Sequence, residues 1–197
     1  MPDSELMQLA IDAASNARTL TAPNPWVGCA IRSADGSTYV GATEPPGQAH
    51  AEIVALNAAG SQAAGAVLAT TLEPCAHTGR TGPCTEAIIE AGVRRVIIGI
   101  EDPDGNVAGA GIAQLRAAGI DVGVGVKADE ITAQLAPYLH HRRTGRPYVI
   151  LKLAATVDGR TAAPDGESEW ITGIAARTNV HQMRAESQAI LVGAGTV

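Results

Sequence analysis

Phenylalanine is absent from this 197-residue chain, and aromatic residues of all kinds make up only 3% of it. A core must then be built from Val, Ile, Leu and Ala, which suits close packing of helices on a sheet. Three cysteines are too few for a disulfide framework in a chain of this length. No apolar run reaches the roughly 18 residues that mark a membrane-crossing helix, and no signal-peptide pattern opens the sequence. The expectation is a cytoplasmic protein whose reduced thiols are free to bind metal, with no membrane as partner. Positive charge is also scarce: 14 Lys and Arg stand against 20 Asp and Glu, a net charge of -6. No basic cluster has the form of a nucleic-acid footprint. The densest basic stretch, Arg142-Arg143 with Arg146, falls at a predicted helix end, where it complements the helix dipole and stays solvated. A long polyanionic partner is thereby disfavoured, but a small phosphorylated one is not.

What the chain does have is apolar periodicity. Hydrophobic residues make up 46% and no long polar tract interrupts them. Leu6, Leu9, Ala10, Ala13, Ala14 and Ala17 recur at helical spacing and predict a helix over 4–19, capped by Asp3 or Ser4. Strands are predicted at 26–31 and 38–41 around the hairpin signal Asp35-Gly36. Further strands are predicted at 67–71, 95–100 and 122–126, alternating with helices at 50–59, 84–91, 110–118 and 128–143. That alternation predicts an α/β layered domain with a mostly parallel sheet. Gly145-Arg146-Pro147 reads as a boundary between a domain at 1–145 and a second region at 146–197. The second region predicts strands at 148–155 and 189–192 and a helix near 174–185. It reads as the opening of a domain, and the exposed apolar faces of such a piece would favour association between copies.

The chemistry lies between residues 50 and 84. His50-Ala51-Glu52 opens a helix, Pro74-Cys75 follows a strand, and Pro83-Cys84 opens the next helix. One imidazole and two thiolates supply three ligands to a tetrahedral zinc ion, and the fourth position stays open to water, as catalysis requires. Zinc lowers the pKa of such a water toward about 7. A helix N-terminus favours the thiolate form of Cys84. Glu52, two residues from His50, is too close to share the metal easily and can instead serve as general base and then general acid. His-x-Glu followed by Pro-Cys and a second Cys is a known pattern of zinc deaminases. Here eight residues, rather than two, separate the cysteines. A structural zinc site is the alternative for the three ligands. Cys29 reads as a small buried hydrophobe, and His140 and His141 as solvated residues of a helix end.

These residues, with Asn24-Pro25-Trp26-Val27-Gly28-Cys29, the loop from Thr71 to Cys84, Val107-Ala108-Gly109, the run Leu151 to Arg160, Ser168 to Thr172 and Leu191 to Val197, resemble the bifunctional riboflavin-biosynthesis deaminase-reductases (RibD or RibG) along essentially the whole chain. The resemblance implies a cytidine-deaminase-like three-layer α/β/α domain followed by the start of a dihydrofolate-reductase-like α/β domain. It implies one Zn2+ held by His50, Cys75 and Cys84, with Glu52 catalytic. It also implies hydrolytic deamination of 2,5-diamino-6-ribosylamino-4(3H)-pyrimidinone 5′-phosphate to 5-amino-6-(5-phosphoribosylamino)uracil. Asn24 would then contact the ring or ribose, and His77, Arg80 and Thr81 the phosphate. In the second region Ala154, Trp170 and Thr196 would touch NADPH, while Lys152, Ser168 and Arg184 would touch the reductase substrate. Family members usually continue well past this point, so NADPH-dependent reduction of a substrate is not expected of this chain alone. Thr43 stands where the family often has His, Asp104-Gly105 where it has Asn-Pro, and Ala110 where it has Arg. The competing readings are another zinc nucleoside or base deaminase and a non-catalytic, zinc-stabilised assembly module.

Overall fold

The computed structural model describes residues 2–77, 82–105, 107–168 and 170–196. It divides into two units, Met1–Tyr148 and Val149–Val197.

The first unit is built on a five-stranded sheet in the order β2-β1-β3-β4-β5. Its strands are β1 (Gly28–Arg32), β2 (Thr38–Ala42), β3 (Val67–Leu72), β4 (Arg95–Ile100) and β5 (Asp121–Val124). The expectation of a mostly parallel sheet needs correcting. β3, β4 and β5 are parallel neighbours, but β1 pairs antiparallel with both β2 and β3. The hairpin at Asp35-Gly36 reverses the chain once, and β1 then runs against β3, a long-range pairing that local pattern does not encode. Every residue of β3 is buried, as a central strand covered on both faces must be.

Two glycines explain how the helices cover it. Gly28 faces Ala42 across the β1–β2 ladder and Gly41 faces Cys29, so with a side-chain period of two the two glycines look to opposite faces. A Cβ on Gly28 would fall 1.8 Å from Ala10 O of α1 (Asp3–Ala17). One on Gly41 would fall 2.4 Å from Ala51 O of α2 (Ala51–Ala59). The first and second helices therefore lie directly on the sheet, one per face, and the result is three layers. α3 (Cys84–Glu90) packs against α2 and against α4 (Ala110–Ala117). The core is aliphatic, with Leu6, Ile31, Leu68, Ile97, Ile98 and Leu115 fully buried.

Two local expectations also change. The cap of α1 is Pro2, and Asp3, inside the first turn, pairs with Arg95 at 2.8 Å instead. The long helix expected over 128–143 is two, α5 (Ala128–Gln134) and α6 (Ala136–Thr144), broken at Leu135. Pro137 lacks the N–H that a continuous helix needs there and fits a first turn well.

The second unit has one α-helix among its described residues, α7 (Ile174–Ala185), as expected, but none of that helix is buried. The strands predicted at 148–155 and 189–192 do not form. A strand exists only as part of a ladder, and no ladder forms among the described residues of this unit. Its apolar side chains stay exposed, Leu151 at 83% and Leu191 at 99%. No helix among the described residues is long and apolar enough to cross a membrane.

Candidate active site

β3 ends at Leu72, and the next three residues are tied down by a buried carboxylate. Glu73 Oε2 accepts the N–H groups of Asp102 (3.2 Å) and Gly109 (3.0 Å), and Oε1 accepts that of Ile112 (3.1 Å). One side chain thus satisfies backbone donors from the loop after β4 and from the start of α4, where helical N–H groups have no partner of their own. Gly111 makes this possible. A Cβ there would stand 2.1 Å from Pro74 O and 3.2 Å from Glu73 Oε1. Cys75 is then held by its carbonyl, which accepts from both the N–H and the hydroxyl of Thr85, each at 3.2 Å.

Three potential ligands converge at this end of β3. His50 is the N-cap residue of α2, and Cys84 is the first residue of α3 after Pro83, which caps it. His50 Nδ1 lies 3.7 Å from Cys75 Sγ and 3.3 Å from Cys84 Sγ. The three ligand atoms all fall within 4.8 Å of one another. Tetrahedral zinc with its usual bond lengths to nitrogen and sulfur sets an N···S separation of about 3.6 Å. The observed pair of distances brackets that value, so the residues fit the ion. They form the one such His/Cys/Asp/Glu group among the described residues.

The electrostatics also suit a cation. The Cys75 thiol is pulled down to about 4, chiefly by its hydrogen bond with Cys84 and then, against burial, by His50. The Cys84 N–H at the start of α3 donates to the same sulfur at 3.4 Å. Cys84 shifts the other way, because its hydrogen bond with Cys75 and then its own burial keep its proton on. His50 is raised, mainly by Cys75.

Glu52 lies in the first turn of α2, 3% exposed. The Thr70 hydroxyl lies 3.3 Å from Glu52 Oε1. Burial, the largest cause, raises its carboxyl above the ordinary range, which suits a group that must both take up and release a proton. Cys29, fully buried on β1, is raised by burial and by nearby Glu52, and its packing is that of a small hydrophobe.

The group opens into a cleft of about 390 Å³. Asn24, Thr43 and His77 line it. Thr43 is engaged with Val27, whose N–H donates to its hydroxyl at 3.2 Å. Arg80 and Thr81, expected to read the phosphate, lie outside the described residues. Ala110 is the first residue of α4 and Gly105 is exposed.

Sequence reasoning missed three features of this cleft. Glu73 is the first, and its signal was a carboxylate embedded between an apolar strand and Pro-Cys. Asp102 and Tyr138 are the second. The Tyr138 hydroxyl lies 3.1 Å from each Asp102 carboxylate oxygen, and burial raises the Asp102 carboxyl. The third is Arg142, expected to be a solvated cation of a helix end. It lines the cleft and pairs with Asp104 at 3.3 Å. His140, beside it, packs edge-on against Tyr148 with ring centroids 5.7 Å apart.

The second unit assembles less. Ser168 and Trp170 line one shallow depression, and Arg177 stacks 4.2 Å over the Trp170 ring. Lys152, Ala154 and Arg184 are not among the residues that line it. Arg184 lies beside His181 on α7, and the side chain of Thr196 lies outside the described set.

Comparison with known proteins follows the same division. Residues 1–100 match the cytidine and deoxycytidylate deaminase zinc-binding region, and residues 147–197 match the RibD C-terminal domain. A riboflavin biosynthesis protein RibD of Mycobacterium tuberculosis is 48% identical over 195 residues, covering 98% of this chain and 57% of that one. RibD of Acinetobacter baumannii superposes with a TM-score of 0.86 at 47% identity, over 94% of this chain and 52% of that one. A diaminohydroxyphosphoribosylaminopyrimidine deaminase/5-amino-6-(5-phosphoribosylamino)uracil reductase of Thermotoga maritima reaches a TM-score of 0.92 at 38% identity, over 98% and 56%. The chain spans about half the length of the relatives it matches.

Proposed function

The chain belongs to the family of the cytidine and deoxycytidylate deaminase zinc-binding region and is of the RibD type, and on that premise we propose that it hydrolytically deaminates 2,5-diamino-6-ribosylamino-4(3H)-pyrimidinone 5′-phosphate. The observation that carries this reading is the convergence of His50, Cys75 and Cys84, with His50, Cys75 and the buried Glu52 lining a cleft. In the mechanism, His50 Nδ1 and the two cysteine sulfurs would hold the zinc. When bound, zinc supplies a water acidified toward about pH 7. Glu52 would take up a proton from the attacking water at its carboxylate and deliver it to the departing amino nitrogen. The ring carbon exchanges its C–N bond for a C–O bond, ammonia leaves, and the product is 5-amino-6-(5-phosphoribosylamino)uracil. Asn24, on the cleft wall, orients the ring or ribose through its amide. His77, Arg80 and Thr81 belong to the segment proposed to meet the phosphate.

Residues 146–197 are proposed to be the opening of the reductase domain. Ala154, Trp170 and Thr196 would serve NADPH there, and Lys152, Ser168 and Arg184 the second substrate. With those residues dispersed, the chain by itself is proposed not to oxidise NADPH.

The test is ammonia release by the zinc-loaded chain, with the phosphorylated diaminopyrimidine and with cytidine as substrates. Release from the diaminopyrimidine alone supports the reading. Release from cytidine alone makes the protein a different nucleoside deaminase. Zinc retention with no release from either makes it an assembly module.

A further inference from the structure

Among the described residues, negative charge outnumbers positive in the lining of the cleft. Four carboxylates line it among the described residues, those of Glu52, Glu73, Asp102 and Asp104. A single Lys or Arg does so among those residues, Arg142. A phosphate entering such a cleft meets repulsion unless a cation stands at its place of arrival.

Arg142 is held as a binding residue is held. It sits in the last turn of α6, with Nη1 3.3 Å from Asp104 Oδ2. Its guanidinium carbon lies 5.3 Å from the centroid of the Tyr138 ring, one turn earlier on the same helix. The Tyr138 hydroxyl is bonded to the Asp102 carboxylate, and Asp102 accepts the Asp104 N–H at 2.9 Å. These contacts tie α6 to the loop after β4 and hold the guanidinium between Asp104 and the Tyr138 ring. Complementing the helix dipole does not require it, because His141 and Arg143 stand in the same turn. Arg142 also keeps 38% of its side chain accessible, enough for a ligand to reach. A guanidinium carries five N–H donors in a planar fork that matches two oxygens of a phosphate.

We infer that Arg142 binds the phosphate of the substrate from the α6 side of the cleft and so makes the enzyme select phosphorylated over unphosphorylated ribosides. The inference rests on the reading above that the substrate carries a ribose 5-phosphate. Asp104 and Tyr138 are positioning residues for the guanidinium. Arg142→Lys would keep the charge and lose the fork.

The test compares wild type, Arg142→Gln and Arg142→Lys on the phosphorylated diaminopyrimidine and on its dephosphorylated riboside. Arg142→Gln is expected to raise KM for the phosphorylated compound about ten- to hundredfold, the range of a lost charge-assisted bond. kcat stays within about twofold, and kcat/KM for the riboside is unchanged. Arg142→Lys recovers part of the loss. Equal losses on both substrates, or none on either, overturn the inference. A second measurement is independent of turnover: calorimetric titration with ribose 5-phosphate, and with ribose as control. Wild type binds ribose 5-phosphate, and Arg142→Gln weakens it at least about tenfold. Equal binding by both overturns the inference, whatever the enzyme deaminates. Arg142-dependent binding of ribose 5-phosphate without ammonia release sustains it, while removing the proposed pathway substrate. Zinc content and thermal midpoint serve as folding controls. If Arg142→Gln does not fold, Arg142→Lys carries both measurements, with a smaller loss in the same direction.

Discussion

The two units of this chain carry motif residues in comparable number, but they hold them differently. In the first, Glu52 and Cys84 are buried against packed helix and strand. Glu73 fastens the segment before Cys75 by three backbone bonds, and Gly111 lets that segment approach α4. In the second, α7 has no buried residue and Trp170 is 69% exposed. A reacting group must be held to a fraction of an ångström, and only a packed surrounding does that. The difference teaches that a motif becomes a site when the residues behind it are buried and bonded.

Glu52→Gln attacks the packed unit at its chemistry, and the largest effect is expected there. The amide cannot carry the proton, so kcat should fall about a thousandfold, within the range for a lost general acid–base. Zinc content by metal analysis should not change. A variant that keeps full activity would remove Glu52 from the mechanism.

Zinc removal comes next. Chelation should abolish ammonia release and destabilise the first unit by about 4 kcal/mol if the ion is normally present far above its dissociation constant. Calorimetric scans with and without chelator would show this, and an unchanged midpoint would mean that the ligands are not bound together by metal.

The glycines sharpen the comparison directly. An Ala in a helix is normally better than Gly by up to about 1 kcal/mol. At Gly111 the Cβ would meet Pro74 O at 2.1 Å, so Gly111→Ala should instead cost about 3 kcal/mol, as overpacking does. At Gly195, in the second unit, a Cβ meets nothing within 4 Å. Gly195→Ala should stay within about 0.5 kcal/mol. Urea unfolding of both variants would break the comparison if their costs were equal.

The smallest effect concerns pH. Burial raises the folded-state pKa of Asp102. Its contribution is therefore fully present below the unfolded value, about 3.9, and is lost as pH rises through the raised value. Asp102→Asn can still accept from Tyr138 and from the Asp104 N–H. It should be as stable as wild type or less so at low pH, and gain up to about 1 kcal/mol relative to wild type near neutrality. Unfolding curves across that range would contradict this if the gap did not change with pH.

Much of the first unit was legible in the sequence because its signals are local. Helical spacing marks α1, the hairpin turn marks β1 and β2, and His50-Ala51-Glu52 with two Pro-Cys pairs marks the ligand group. What could not be read depends on partners distant in the chain. The antiparallel pairing of β1 with β3 joins Cys29 to Thr70. Arg142 looks like any cation at a helix end until α6 meets the loop carrying Asp104. The apolar runs 148–155 and 189–192 have strand composition, but composition supplies no ladder partner.

The most direct test of the account places the zinc-loaded chain, the phosphorylated diaminopyrimidine and NADPH in one sample and follows ammonia and NADPH together. Steady ammonia release is expected, with NADPH absorbance flat throughout. NADPH consumption would show that the second unit holds a working site without the packing described for the first. Flat ammonia with zinc in place would contradict the deaminase itself.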